Sequence, residues 1–209
     1  MRVLVACESS GVVREAFRAR GHDAWSCDLL PADDGSFFHI QDDALKVAND
    51  PDCHWDLMIA HPPCTYLCNS GVRWLYTQAG RRKAMNDAAK FFAGLLQAPI
   101  PKIAVENPVM HGYGQSAILN FLGTPMARMN THFVHPWWFG DKAFKATGLT
   151  LKGLPPLVRP ADALTPPKPG TPEHKAWSVI HNQPPGPERW KVRSKTFPGI
   201  AQAMAETWG

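Results

Sequence analysis

Residues 56–65 read Asp-Leu-Met-Ile-Ala-His-Pro-Pro-Cys-Thr. An apolar run stopped by two prolines is a buried strand ending in a stiff extended turn, which presents Cys64 at the rim of a sheet rather than in its core. A thiol held there can act as a nucleophile. Roughly a few per cent of it is ionised at neutral pH, and a nearby cation or helix N-terminus raises that fraction. The bland alternative is a small packing residue, which is what most cysteines are. Residues 103–108, Ile-Ala-Val-Glu-Asn-Pro, repeat the arrangement: an apolar strand, then Glu106, Asn107 and a proline. If the two strands are neighbours, Glu106 and Cys64 end on one sheet edge, within reach of a single bound ring. A carboxyl group beside such a ring is expected to have a raised pKa and to hydrogen-bond or protonate a ring nitrogen. Alone, a strand-terminal Glu is more often a cap or a salt-bridge partner; together with Cys64 it favours chemistry.

A second constellation opens the chain. Residues 2–7 alternate as a strand, and the loop Cys7-Glu8-Ser9-Ser10-Gly11-Val12 leads into a helix over 12–20, with Val13, Ala16, Phe17 and Arg20 at helical spacing and Gly21 at its end. Gly11 permits close backbone approach, and the helix start offers free amide donors. Asp28 follows a second strand over 23–27, about 20 residues beyond the loop, where nucleotide-type folds place a ribose-binding carboxylate. The alternative for Asp28, and for Asp43 after a third strand, is a solvated loop carboxylate.

These segments require a sheet to position them. Between residues 81 and 97, Ala84, Ala88, Phe91, Phe92, Leu95 and Leu96 mark one face of a helix packed on a sheet. A strand over 102–106 and a helix over 115–122 complete the alternation, so the expected fold class is α/β, with a doubly wound, Rossmann-like parallel sheet. Beyond Thr124 come Trp137, Trp138, Phe139 and Gly140, then a strand over 147–151. Residues 151–190 carry half of the 20 prolines and are expected to lack regular core structure, serving as a recognition loop or a connector. A helix over 199–208 closes the chain. At 209 residues one domain with an insertion is expected: a catalytic core over 1–150, the proline-rich insertion over 151–190, and 191–209 completing the core.

Hydrophobic residues at 44% and charged residues at 19% are ordinary for a globular protein, and no apolar run has the roughly 20 residues of a membrane span. The expectation is a soluble, cytoplasmic protein without signal peptide or membrane contact, with a monomer favoured. Five cysteines without paired spacing argue against a disulfide framework and against a metal site. The net charge of +4 is unevenly spread: residues 1–60 hold 5 Lys or Arg against 11 Asp or Glu, and residues 61–209 hold 17 against 7. A basic part of this kind suits a polyanion, although a solvated surface explains it equally well.

A Pro-Pro-Cys loop followed about 40 residues later by Glu-Asn-Pro resembles the catalytic motifs of DNA cytosine-5 methyltransferases, in particular a short phage-type branch. The likeness extends to residues 138–141, 151–157 and 195–201. It implies a class I methyltransferase sheet, S-adenosylmethionine as cofactor and DNA as partner. It further implies that Cys64 attacks carbon 6 of a cytosine flipped out of the duplex while Glu106 contacts ring nitrogen 3 and Asn107 holds the loop. Methyl would pass to carbon 5, and loss of the carbon 5 proton would expel Cys64. The same resemblance assigns Cys7, Glu8, Ser9, Ser10, Gly11, Val12, Asp28, Leu29, Asp43, His61 and Pro62 to the cofactor, with Asp42 competing with Asp43 for the adenine. Pro63, Thr65, Lys142, Lys145 and Arg193 are assigned to the substrate. The family's Gln-x-Arg-x-Arg motif is not present in its usual form. Lys142 and Lys145 stand where it is expected, with Trp138 in the glutamine position.

Three other readings compete. An RNA cytosine-5 methyltransferase would share the fold and the cysteine chemistry, but such enzymes typically use two cysteines on separate motifs. A cytosine-modifying enzyme would transfer another group at the same site. A degenerate module would bind DNA or a protein without turnover.

Overall fold

The computed structural model describes residues 1–180, 182–186 and 189–209. Seven strands form one sheet: β1 Arg2–Ala6, β2 Asp23–Asp28, β3 His39–Gln41, β4 Leu57–Ala60, β5 Lys102–Asn107, β6 Thr131–Val134 and β7 Thr147–Lys152, in the order β3-β2-β1-β4-β5-β7-β6. β1 lies centrally, with Val5 registered on Ser26 of β2 and on Ile59 of β4, and β4 in turn pairs with β5, Ala60 on Val105. All pairings from β3 to β5 are parallel, as expected of a doubly wound, Rossmann-like sheet. The expectation of a wholly parallel sheet is corrected at one strand: β7 runs antiparallel to both β5 and β6. β6 (Thr-His-Phe-Val) was not foreseen, being a short edge strand whose mixed polarity carries no clear period.

Both faces of the sheet are covered, which is why its central strands are apolar throughout. Leu4, Met58, Ile103 and Val105 point to one side, packed with Phe92, Leu95 and Ile118 from α4 (Arg81–Gln97) and α5 (Gly112–Phe121). Val3, Val5, Leu57 and Ile59 point to the other, against Phe17 of α1 (Val12–Arg18) and Met204 and Trp208 of the C-terminal helix Pro198–Trp208. A short helix α2 (Ala44–Ala48) is capped by Asp43, and α3 (Trp74–Thr77) follows the Cys64 loop. α5 begins three residues earlier than its apolar pattern indicates, because the His111 ring accepts from the Gly114 amide at 2.9 Å and acts as the N-cap.

The proline-rich segment is more ordered than expected. It carries α6 (Pro172–Trp177), with Thr171 accepting from the His174 amide as cap and a proline in the first turn, where proline is tolerated. Leu157, Trp177 and Ile180 are buried, and Trp208 donates its indole N–H to the Pro155 carbonyl at 2.9 Å. Within the 151–190 stretch, His181, Pro187 and Glu188 lie outside the described residues. α7 (Arg189–Ser194) precedes the C-terminal helix, α8. Among the described residues no helix is long and apolar enough to cross a membrane.

Candidate active site

The carboxyl ends of β1, β2, β3 and β4 converge on a cavity of about 440 Å³ lined by Cys7, Asp28, Leu29, Asp42, Asp43, Ala44, Pro63, Tyr66, Ala84, Asp87, Ala88 and Phe91. Parallel α/β sheets place ligands at this edge. Of the residues assigned to a cofactor, Cys7, Asp28, Leu29 and Asp43 line the cavity, as does Pro63, assigned to the substrate. Asp42 and Asp43 both reach it, but each has another engagement: Asp42 with the Lys46 ammonium at 2.5 Å, and Asp43 with the Lys46 amide at 3.0 Å. Of the α4 stripe expected to lie on the sheet, Phe92 and Leu95 are buried there, joined by Met85 and Ala89, whereas Ala84, Ala88 and Phe91 line the cavity.

The first turn of α1 does not offer its Val13 and Arg14 amides to a ligand as expected. Glu8, buried, folds back so that its carboxylate accepts from the Val13 amide at 2.9 Å, the Arg14 amide at 3.3 Å and the Ser10 hydroxyl at 3.2 Å. The first turn of α1 is therefore capped from within, by an anion placed where the helix dipole favours one. Gly11 has φ of 71°, and a Cβ there would meet the Arg14 guanidinium and the Asp34 carboxylate. Its close approach is to the protein's own side chains. Ser9 engages Asp33 through its carbonyl, and Val12 approaches the Ser10 hydroxyl at 3.5 Å. None of Glu8, Ser9, Ser10, Gly11, Val12, His61 or Pro62 lines the cavity.

Beside the cavity, β4 and β5 deliver the second half of the site. Cys64 is exposed, just past the two prolines, with Pro62 buried beneath it and Thr65 exposed beyond. Burial of the sulfur among neighbouring atoms pushes its thiol pKa up. Cys68 and Glu106 add to this, and Lys145 opposes it without prevailing. The thiol is thus not activated by a dominant cation, contrary to one route considered from sequence. Glu106 lies close by, with both carboxylate oxygens engaged. His61 Nδ1 donates to Oε2 at 2.6 Å, and the Lys145 ammonium lies 3.3 Å from Oε1.

The expectation of a raised Glu106 pKa is overturned. Burial does push it up, but Lys145 and His61 outweigh burial and hold the carboxyl at about 2. No local spacing in the sequence points to these two donors. His61, assigned to the cofactor, is a hydrogen-bond partner of Glu106. Among the described residues its buried Nε2 has no hydrogen-bond partner, and the Thr196 hydroxyl lies 3.5 Å from Nδ1.

Asn107 is buried at the end of β5 and works as a strut. Its amide donates to the Pro108 carbonyl at 3.0 Å, and its carbonyl accepts from the Thr150 hydroxyl of β7 at 2.9 Å. Lys142 and Arg193 are exposed. Trp138 packs against the core on the α8 side, with its indole nitrogen buried and unpartnered.

No protein-family model matches the sequence, and no curated protein matches it. Among solved structures, the Entamoeba histolytica methyltransferase EhMeth is similar with a TM-score of 0.51 and 13% sequence identity, over 80% of this chain and 57% of that one. A protein described as a DNA modification methyltransferase encoded within an E. coli prophage has a TM-score of 0.49 and 14% identity, over 72% of this chain and 46% of that one. Dnmt2 of S. pombe has a TM-score of 0.44 and 16% identity, covering 75% and 51%. The chain spans about half the length of these proteins. The likeness to EhMeth is one of fold.

Proposed function

We propose that this chain is an S-adenosylmethionine-dependent cytosine-5 methyltransferase acting on DNA, with Cys64 as nucleophile. One observation carries the reading. A cysteine at the end of β4 and a glutamate at the end of the adjacent β5 share the ligand-binding edge of the sheet, and that glutamate is held by donors on both oxygens. The fold shared with solved methyltransferases supports it, as does the Pro-Pro-Cys and Glu-Asn pair.

The cavity at β1 to β4 suits the cofactor. Leu29, Phe91 and Tyr66 offer apolar and aromatic walls for a purine. Asp28 uses one carboxylate oxygen for the Leu30 amide at 2.9 Å and keeps the other for a ribose hydroxyl. When bound, S-adenosylmethionine supplies an electrophilic methyl group.

The chain's own residues do the rest. Glu106, ionised at neutral pH, accepts from the exocyclic amino group of cytosine and orients the ring. The Lys145 ammonium beside it stabilises the negative charge that attack places on the ring, a role for which a fixed cation in a site shielded from water is well suited. Cys64 gives its proton to water and bonds carbon 6 as the thiolate, and the carbon 5–carbon 6 π pair displaced by that bond makes carbon 5 nucleophilic. After carbon 5 takes the methyl group, its proton is lost, the sulfur–carbon 6 bond breaks and the aromatic ring is restored.

DNA containing 5-fluorocytosine tests this, because fluorine cannot leave as a proton does. A covalent protein–DNA adduct that resists denaturation and is absent in Cys64→Ala is the expected result. No adduct under turnover conditions would remove covalent catalysis.

A further inference from the structure

Apart from Tyr66, which walls the cofactor cavity, the segment that follows Cys64 is not used by the mechanism above, and its composition is unusual. The 20 residues from Cys64 to Lys83 contain Arg73, Arg81, Arg82 and Lys83 and no Asp or Glu. They also contain Tyr66, Trp74 and Tyr76, all exposed, Trp74 at 42% and Tyr76 at 62%. Each of these rings has a guanidinium over it: Arg81 at 4.5 Å from the Tyr66 centroid, Arg73 at 4.5 Å from Trp74, and Arg82 at 5.2 Å from Tyr76. Tyr113, exposed at the start of α5, meets Tyr76 edge-on with ring centroids 6.0 Å apart. Tyr76 and Tyr113 thus form one aromatic surface, while Tyr66 also lines the cavity assigned to the cofactor.

The face is attached to the nucleophile. Arg81 donates to the Thr65 carbonyl at 2.8 Å, so the segment leaves Cys64 and returns to the residue beside it. Leu67 and Leu75 are buried and pin the segment to the body, and Cys68 bridges to Met110 in the loop after β5. The exposed rings are thus held on an anchored support.

Rigid exposed aromatic faces interleaved with arginines suit one class of partner. A duplex turns its base faces inward and presents edges and phosphates, whereas an unpaired strand presents base faces and phosphates together. Arginine supplies the charge for phosphates, and the rings supply the stacking surface. We infer that Trp74 and the Tyr76–Tyr113 pair, with Arg73 and Arg82, form a binding platform for single-stranded DNA leading to Cys64. The inference rests on the reading of the site as a DNA cytosine enzyme and specifies the form of DNA it takes. On such a strand no base pair has to be broken before the cytosine reaches Cys64.

The test is fluorescence anisotropy of a labelled cytosine-containing deoxyoligonucleotide with the full chain, as a single strand, as a duplex of the same sequence, and as the RNA equivalent. The single DNA strand should bind most tightly. Trp74→Ala and Tyr76→Ala should each weaken it by about five- to a hundredfold, the range for loss of one base–aromatic stack. Tyr76→Phe, which keeps the ring but loses the hydroxyl contact to Tyr113, should bind nearly as the wild type. Both alanine variants remove exposed side chains, and an unchanged melting temperature verifies their folding. Preference for the duplex or for RNA, or single-strand binding indifferent to Trp74 and Tyr76, would overturn the inference. The two claims fail separately. Single-strand binding that needs these rings without any methyl transfer strikes only the proposed reaction. Methyl transfer to single-stranded DNA by Trp74→Ala and Tyr76→Ala at the wild-type rate strikes only the platform.

Discussion

Replacing Lys145 by methionine tests the electrostatics of the site without touching the nucleophile. Lys145 and His61 together bring the Glu106 carboxyl from an ordinary value of 4.5 down to about 2 against the opposing effect of burial. A depressed carboxyl pKa contributes stability that is fully present above the unfolded value and is lost as pH falls through the folded value. At about 1.4 kcal/mol per pH unit the pair of donors contributes about 3 kcal/mol at pH 7, falling to about 1 kcal/mol at pH 3. Lys145 exerts the larger share, so Lys145→Met should destabilise the fold by about 2 kcal/mol at pH 7 and by less than about 1 kcal/mol at pH 3. Urea denaturation of both proteins at the two pH values measures this, and the methionine keeps most of the apolar stem so that lost packing does not dominate. In the Glu106→Gln background the same substitution should be nearly neutral, because no buried carboxylate is left unpaired. Equal destabilisation at pH 7 and pH 3, or an undiminished effect in the Gln background, would refute the argument.

Cys64→Ala should abolish methyl transfer while leaving S-adenosylmethionine affinity close to wild type in calorimetry, since the thiol is outside the cofactor cavity; Cys68→Ala should retain activity. Asp28→Ala should weaken S-adenosylmethionine binding by about ten- to a hundredfold, the loss of one hydrogen bond to a charged acceptor, with little change in melting temperature. Gly11→Ala should cost about 1–3 kcal/mol of stability in denaturant titration, because φ of 71° disfavours a Cβ that would also strike Arg14 and Asp34.

The sheet was legible because its strands are buried on both faces. Residues 3–6, 57–60 and 103–105 are unbroken apolar runs ended by polar residues, prolines or a glycine-bearing loop, and such runs have one common use. Cys64 and Glu106 were legible for the same reason, each sitting where such a run stops. What local spacing does not show is which distant side chains reach these residues. Lys145 and Thr196 reach Glu106 and His61 from the β6–β7 connection and from the approach to α8, and no local spacing joins those segments. His61 was read as cofactor-binding because of its place after β4; its partner across the β4–β5 pair has no sequence signature. Glu8 was read in the same way, since a loop carboxylate that folds back to cap the next helix looks in sequence like one pointing to a ligand. On α4 the helical period was right, but a period identifies an apolar stripe without saying whether sheet or cavity lies against it. The helix start at His111 was missed because histidine is an uncommon N-cap.

The central claim is that this chain forms 5-methylcytosine in DNA through Cys64. Incubation with methyl-labelled S-adenosylmethionine and cytosine-containing DNA, both single-stranded and duplex, followed by digestion and separation of nucleosides by mass, tests it most directly. The expected result is label in 5-methyldeoxycytidine with the wild type and none with Cys64→Ala. Label on another nucleoside, label that persists in Cys64→Ala, or none with either form of DNA would contradict it.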